Sequence, residues 1–122
     1  MSTLNVSNIT DGTYTVATGY VLNGSAKAWA KYSSISTPSF WDSFNCSSLT
    51  DHGVGDIDVN LTNSFSSSDW AGTISIGGGS YGDQSFLQQT STSSAIHIYQ
   101  YQGSHSTYDS GYCWTIAVGD LA

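Results

Sequence analysis

Along residues 55–61, GDIDVNL, apolar and polar side chains alternate one by one: Ile57, Val59 and Leu61 against Asp56, Asp58 and Asn60. A period of two is the signature of a strand with one dry and one wet face. The same pattern recurs through the chain. Residues 12–22, GTYTVATGYVL, place Tyr14 and Val16 on one face. AGTISIGGG sets Ile74 and Ile76 against Thr73 and Ser75. SAIHIYQYQG sets Ile96 and Ile98 against His97, Tyr99 and Tyr101. YCWTIAVGD sets Tyr112, Trp114, Ile116 and Val118 against Cys113, Thr115 and Ala117. Between the runs lie turn residues: Asp11-Gly12, Asn23-Gly24, Asp51 to Gly53, Gly77 to Gly79, Gly82-Asp83 and Gly103. Many strands separated by turns predict an all-β protein, an antiparallel β-sandwich of jelly-roll-like character. A single helical turn is expected within residues 66–72, SSSDWAG. The division expected is a short N-terminal arm over residues 1–25 and a sandwich domain over residues 26–122.

SAKAWAKY, residues 25–32, is a strand of a different kind. Ala26, Ala28, Ala30 and Tyr32 share one face; Lys27, Trp29 and Lys31 share the other. Either the alanine face packs closely on a second sheet, or something covers Trp29. That cover is a neighbouring subunit or the aliphatic stems of the two lysines.

One short motif occurs twice. LNVSNITD, residues 4–11, and FNCSSLTD, residues 44–51, share the same order of apolar, Asn and Ser positions, ending in Thr-Asp. Leu4 and Val6, like Phe44 and Cys46, alternate. Ile9 and Leu49 fall one step out of phase, which predicts a bulge or bend after the serine. The closing Thr-Asp, followed by Gly12 in the first copy and by His52-Gly53 in the second, predicts an Asx-type turn. Two copies are too few for a solenoid.

Composition narrows the partners. The chain has 122 residues, and only 9% of them are charged. Lys27 and Lys31 are its only basic residues besides histidine, the nine acids are all Asp, and the net charge is −7. Nothing here neutralises a phosphate backbone, so nucleic acid is not an expected partner. No run of about 18 apolar residues is present, so no membrane-spanning helix is expected. The start of the chain lacks the basic head and apolar stretch of a secretory signal. Five N-x-S/T triplets, beginning at Asn5, Asn8, Asn23, Asn45 and Asn60, are read as a consequence of the Ser, Thr and Asn content. Cys46 and Cys113 are either two reduced thiols or one bridge.

Catalytic constellations are not evident. The three histidines, His52, His97 and His105, are far apart and lack metal-ligand spacing. Asp51, Asp56 and Asp58 are close, but not at EF-hand spacing, and they read as a turn leading into a wet strand face. Glycine-rich residues 77–79 lack the lysine of a phosphate loop. Neither a cofactor nor a metal is expected, and the chain is read as non-enzymatic. Aromatic residues crowd the last third, from Tyr81 to Trp114. Rings of this kind form subunit interfaces or stack on sugars. The candidate interface or ligand-binding residues are Trp29, His97, Tyr99, Tyr101, Tyr108 and Trp114.

Residues 23–32, NGSAKAWAKY, and residues 42–70, DSFNCSSLTDHGVGDIDVNLTNSFSSSDW, resemble a domain of tail-fibre-like and other virion structural proteins of tailed bacteriophages. The family pattern reads G-S-A-K-A-W-V-x-F, a loop, then S-F-N-V-S-S-I-T-D-N-G-T-G-D-Y-T-V-N-F and a downstream D-A-N-Y. The closing YCWTIAVGD is similar to the family's last strand. Departures are Lys31-Tyr32, Cys46, His52, Ile57 and Trp70; residues 72–94 do not match. The resemblance implies a homotrimer on the virion exterior, a tail-fibre, head-fibre or capsid-decoration protein that docks on other virion proteins through residues 1–25. A lectin-like module that binds host-surface glycan is the alternative, and a hydrolase acting on surface sugar with Asp residues is a further rival.

Overall fold

The computed structural model describes residues 2–77, 84–87, 92–103 and 106–122, with residues 84–87 described by their backbone. In chain order the elements are β1 (Asn8–Thr10), β2 (Thr15–Ala17), α1 (Thr18–Gly24), β3 (Ala26–Ser33), β4 (Ser39–Phe44) and β5 (Cys46–Gly53). They continue as β6 (Asp56–Leu61), β7 (Ala71–Gly77), β8 (Gln84–Leu87), β9 (Ala95–Gln102), β10 (Ser106–Thr107) and β11 (Tyr112–Val118). The protein is all-β with antiparallel sheets. One sheet runs β4-β3-β11-β7, and a second contains β5, β6 and β9, with β8 and β10 paired to β9. β1 and β2 form a separate two-stranded ribbon. The turn clusters at residues 78–79 and 82–83 and the side chains of Tyr81 and His105 lie outside the described residues.

Each sheet contributes one face to a common core. β6 and β9 send in Ile57, Val59, Leu61, Ile96 and Ile98, the dry side of their alternation. Against them β3 and β11 present Ala28, Ala30, Tyr32, Cys113 and Ala117. The alanine face of residues 25–32 is thus the packed one. On β11 the buried residues are Cys113, Thr115 and Ala117, and the large side chains Tyr112, Trp114 and Ile116 point away from the core. Each buried isoleucine or valine contributes about 1.5–3 kcal/mol over its exposed state.

A buried polar cluster ties the two sheets together. Ser34 Oγ donates to Gln100 Oε1 at 2.8 Å, Ser110 N donates to the same oxygen at 3.0 Å, and Gln100 Nε2 donates to Cys113 Sγ at 3.4 Å. Gln100 is wholly buried on β9, on the side that Ile96 and Ile98 make dry, so every one of its polar atoms needs a partner. Both cysteines are free thiols. Burial raises the pKa of each, and pushes that of Cys46 up to about 11.

The repeated motif folds the same way twice. In the second copy the β5–β6 register shifts between Cys46 and Ser48, a bulge at Ser47, and Asp51 Oδ1 then accepts from Gly53 N at 2.8 Å. In the first copy the chain bends at Ser7, and Asp11 Oδ1 accepts from Thr13 N at 2.9 Å and Tyr14 N at 2.8 Å. Both copies are the leading strand and turn of a hairpin, β1–β2 and β5–β6. The chain moves from the first sheet to the second through Asn45 alone, which holds φ +56°. Asn tolerates this left-handed conformation better than most residues. Its side chain is locked to Asn63 by bonds to the backbone N and O at 2.8 and 3.0 Å.

Two expectations fail in the N-terminal segment and after Leu61. The strand expected over residues 12–22 is cut short at Ala17, where α1 takes over. β1 is only three residues long; Thr18 N still bonds Ser7 O at 2.9 Å, and beyond it the backbone turns to helical bonding within itself. Conversely, residues 66–68 form bends, residues 69–70 are irregular, and no helical turn forms there. Phe65 is drawn into the core there, stacked on Trp70 at 5.5 Å, and Trp70 Nε1 bonds Thr92 O at 3.0 Å, which holds the segment extended. Residues 2–25 include no buried residue. Lys27 connects this arm to β3: its amine donates to the Leu22 carbonyl at the end of α1 and to Ser25 Oγ at 2.7 Å.

Gly55, in the β5–β6 turn, has φ +71°, and a Cβ there would lie 2.5 Å from Gln100 O and 2.7 Å from Tyr108 N. Gly55→Ala is expected to destabilise the fold by about 2–4 kcal/mol in urea unfolding. Gly19→Ala, where a Cβ meets nothing within 4 Å, should change stability by less than about 1 kcal/mol.

Candidate functional site

The outward faces of the two sheets differ in chemistry, because the side chains left over after core formation differ. On β6 the wet side of GDIDVNL presents Asp56, Asp58 and Asn60. Pairing of β9 with β6 sets His97 opposite Asp58 and Tyr99 opposite Asp56. β5 on the other edge brings in His52, within the Asx turn that Asp51 closes on Gly53. His97 is held between the two carboxylates: Nε2 lies 2.9 Å from Asp56 Oδ1 and Nδ1 lies 2.9 Å from Asp58 Oδ1. His52 Nε2 is 3.0 Å from the other oxygen, Asp58 Oδ2. The two imidazoles stack at 5.6 Å, and the row of rings continues from His97 to Tyr99 at 5.2 Å and to Tyr101 at 6.2 Å. Asn60 Nδ2 bonds Thr50 Oγ1 at 2.8 Å and Ser48 Oγ at 3.1 Å, which extends the polar face along β5.

The placement sets the electrostatics. The hydrogen bond with Asp58 raises the pKa of His52 above its ordinary value of 6.5, and the charges of Asp58, Asp56 and Asp51 act in the same direction. Asp56 also raises the pKa of the Tyr99 phenol, chiefly through its charge.

The opposite outer face, on β4, β3 and β11, is aromatic. Trp29, Trp41, Phe44, Tyr112, Trp114 and Ile116 are 36–53% exposed. Trp41 meets Tyr112 edge to face at 5.0 Å, and Tyr112 stacks near Trp114 at 6.3 Å. Lys31 Nζ lies 4.6 Å from the centre of Trp41 and 6.0 Å from that of Trp114, a cation–π arrangement. The cover expected over Trp29 therefore falls on Trp41 and Trp114, as far as Lys31 is concerned.

The six candidate residues do not form one surface. Trp29 and Trp114 lie on the aromatic face, whereas His97, Tyr99 and Tyr101 lie on the polar one. Tyr108 is half-buried in the loop after β10, where its backbone N bonds Gln100 O at 3.2 Å. Trp41, Phe44, His52, Asp56 and Asp58 complete the two faces and were not among the candidates. For Asp56, Asp58 and His97 the strand alternation was a usable signal. Their partner His52 depends on the β5–β6 register, which shifts at Ser47 and again at His52 itself, between Asp51 and Gly53. Among the described residues, no helix is long and apolar enough to cross a membrane.

Nuclear magnetic resonance titration should place the His52 pKa above 6.5, and Asp58→Asn should lower it toward the ordinary value. Because the folded-state value is the higher one, the stabilisation from this contact is complete below pH 6.5. It is lost as pH rises through the folded-state pKa.

Comparison of the chain with protein-family models, with curated proteins and with solved structures returned no match.

Proposed function

We propose that this chain is a non-enzymatic structural module of a bacteriophage virion exterior, a β-sandwich that self-associates as a trimer through its aromatic sheet face. The carrying observation is the row of Trp29, Trp41, Phe44, Tyr112, Trp114 and Ile116 left exposed on β3, β4 and β11. Taken at about 200 Å² per large ring, these side chains offer roughly 500 Å² of mostly apolar surface. That lies at the upper part of the roughly 300–600 Å² of a typical monomer's largest apolar patch and below the about 800 Å² that a stable interface takes from each partner, so the trimer contact extends beyond these rings onto neighbouring surface.

The local charge pattern of this face, against the net charge of the chain, admits a second copy as the occupant. Two chains at net charge −7 repel, and the only two lysines, Lys27 and Lys31, both belong to this face of β3. Asp42 stands opposite Lys31 in the β3–β4 register, so the face carries both signs, and in a three-fold ring the lysine side of one copy meets an acidic side of the next. The virion setting draws on the resemblance of residues 23–32 and 42–70 to phage structural proteins. Residues 1–25 serve as the attachment arm, consistent with their lack of any buried residue among those described.

A glycan-binding module is a second reading, favoured by the accessible row of Tyr99 and Tyr101 beside Asp56 on the other face. Rings stack on sugar faces while a carboxylate accepts from hydroxyls.

Sedimentation should find a trimer at micromolar concentration, and the double substitution Trp41→Ser with Trp114→Ser should give a folded monomer. A wild-type chain that stays monomeric at 100-fold higher concentration rejects the self-association, and failure of an antibody against the chain to label intact particles rejects the virion setting. For the second reading, binding on a glycan array should vanish in Tyr99→Ala.

A further inference from the structure

His52, Asp58 and His97 offer ligand atoms that all lie within 4.8 Å of one another. We infer that they form a binding site for a divalent transition metal of the zinc class, on the outer face of β5, β6 and β9.

The donor set and its frame carry this reading. Two imidazoles and one carboxylate are the ligand types of zinc sites that keep an open position. Calcium and magnesium take oxygen ligands, six or more in number, and two ring nitrogens do not suit them. A tetrahedral ion at about 2.0–2.2 Å from each ligand sets neighbouring ligand atoms about 3.3 Å apart. The present separations fall just short of that value: 3.0 Å from His52 Nε2 to Asp58 Oδ2 and 2.9 Å from His97 Nδ1 to Asp58 Oδ1. These two separations run to different oxygens of Asp58. A single ion therefore requires the carboxylate to turn one oxygen to both nitrogens and the exposed His52 ring to rotate out of its stacked arrangement with His97, so that both ring planes meet at the ion.

The outer partner is in place as well. With Nδ1 of His97 on the metal, its Nε2 lies 2.9 Å from Asp56 Oδ1, an ion-pair distance from which a small turn of the carboxylate aims an oxygen at the N–H. A carboxylate behind a ligating imidazole fixes its tautomer and orientation, as metal sites ordinarily require. Asp58 and Asp56 together offset the charge of a divalent ion, in a chain whose net charge of −7 already favours cations. The three ligands come from three neighbouring strands, His52 from β5, Asp58 from β6 and His97 from β9. A bound ion therefore staples these strands on their solvent side and leaves one coordination position to water. Sequence spacing hides the site, because the ligands are 6 and 39 residues apart along the chain and meet only through strand pairing.

The test is calorimetric titration of the full chain with ZnCl2, paired with thermal melts and with Co2+ absorption spectra. One Zn2+ per chain, a higher melting temperature, and a Co2+ spectrum without a thiolate charge-transfer band are expected. CaCl2 should produce no such shift. His52→Gln alters an exposed side chain and leaves the core untouched, so it should fold like the parent and bind Zn2+ at least about tenfold more weakly. Asp56→Asn, which touches no metal, should weaken binding by about 10- to 100-fold. Absence of binding, a thiolate band pointing to Cys46 or Cys113, or unchanged affinity in His52→Gln would each overturn the site.

Discussion

The structure depends on the small inner face of one sheet. Ala28 and Ala30 on β3, with Cys113, Thr115 and Ala117 on β11, leave little side chain between that sheet and the isoleucine and valine side chains of β6 and β9. Protein interiors pack at crystal-like density, so a core filled from one side by Ile57, Val59, Ile96 and Ile98 accepts only small partners from the other. Tyr32 is the exception. It sits at the end of the alanine row beside the polar cluster of Ser34, Gln100 and Ser110, where buried groups have partners for a phenol.

That constraint turns the tryptophans outward. On a strand the neighbour of an inward alanine must point out, so Trp29 lies between Ala28 and Ala30, and Trp114 between Cys113 and Thr115. The exposed aromatic face is thus a stereochemical consequence of the same alternation that builds the core. On the other sheet the alternation is conventional, with aliphatic residues inward and Asp, Asn, His and Tyr outward. One sheet thus turns an aromatic face outward, and the other a polar, histidine-bearing one. The two surfaces suit different partners: a protein surface for the rings, and a small polar ligand or ion for the carboxylates and imidazoles.

The repeated motif illustrates how local chemistry is reused in different settings. Its Asx turn and serine bend form in both copies, because an aspartate bonding the backbone two residues on needs no tertiary help. Beyond the turn the two copies diverge. After the second, β6 finds β9 and becomes central. After the first, β2 finds only three residues of partner, and the chain turns into the exposed helix α1.

Most strands of the main body, the turn positions and a bulge or bend within the repeated motif were legible in the amino-acid order, and close packing of the alanine face was one of the two readings it allowed. Those features rest on interactions between neighbours along the chain: side-chain alternation, a carboxylate reaching its own backbone, and a bulky residue next to a small one. Long-range packing chose which side of β11 is buried, since Tyr-Trp-Ile and Cys-Thr-Ala are both plausible dry faces until an opposing sheet sets the available depth. It also divided the late aromatics between opposite faces and brought His52 and His97 together over Asp58. Register between distant strands is fixed by packing and hydrogen bonding across the sheet, and such contacts have no period along a single chain.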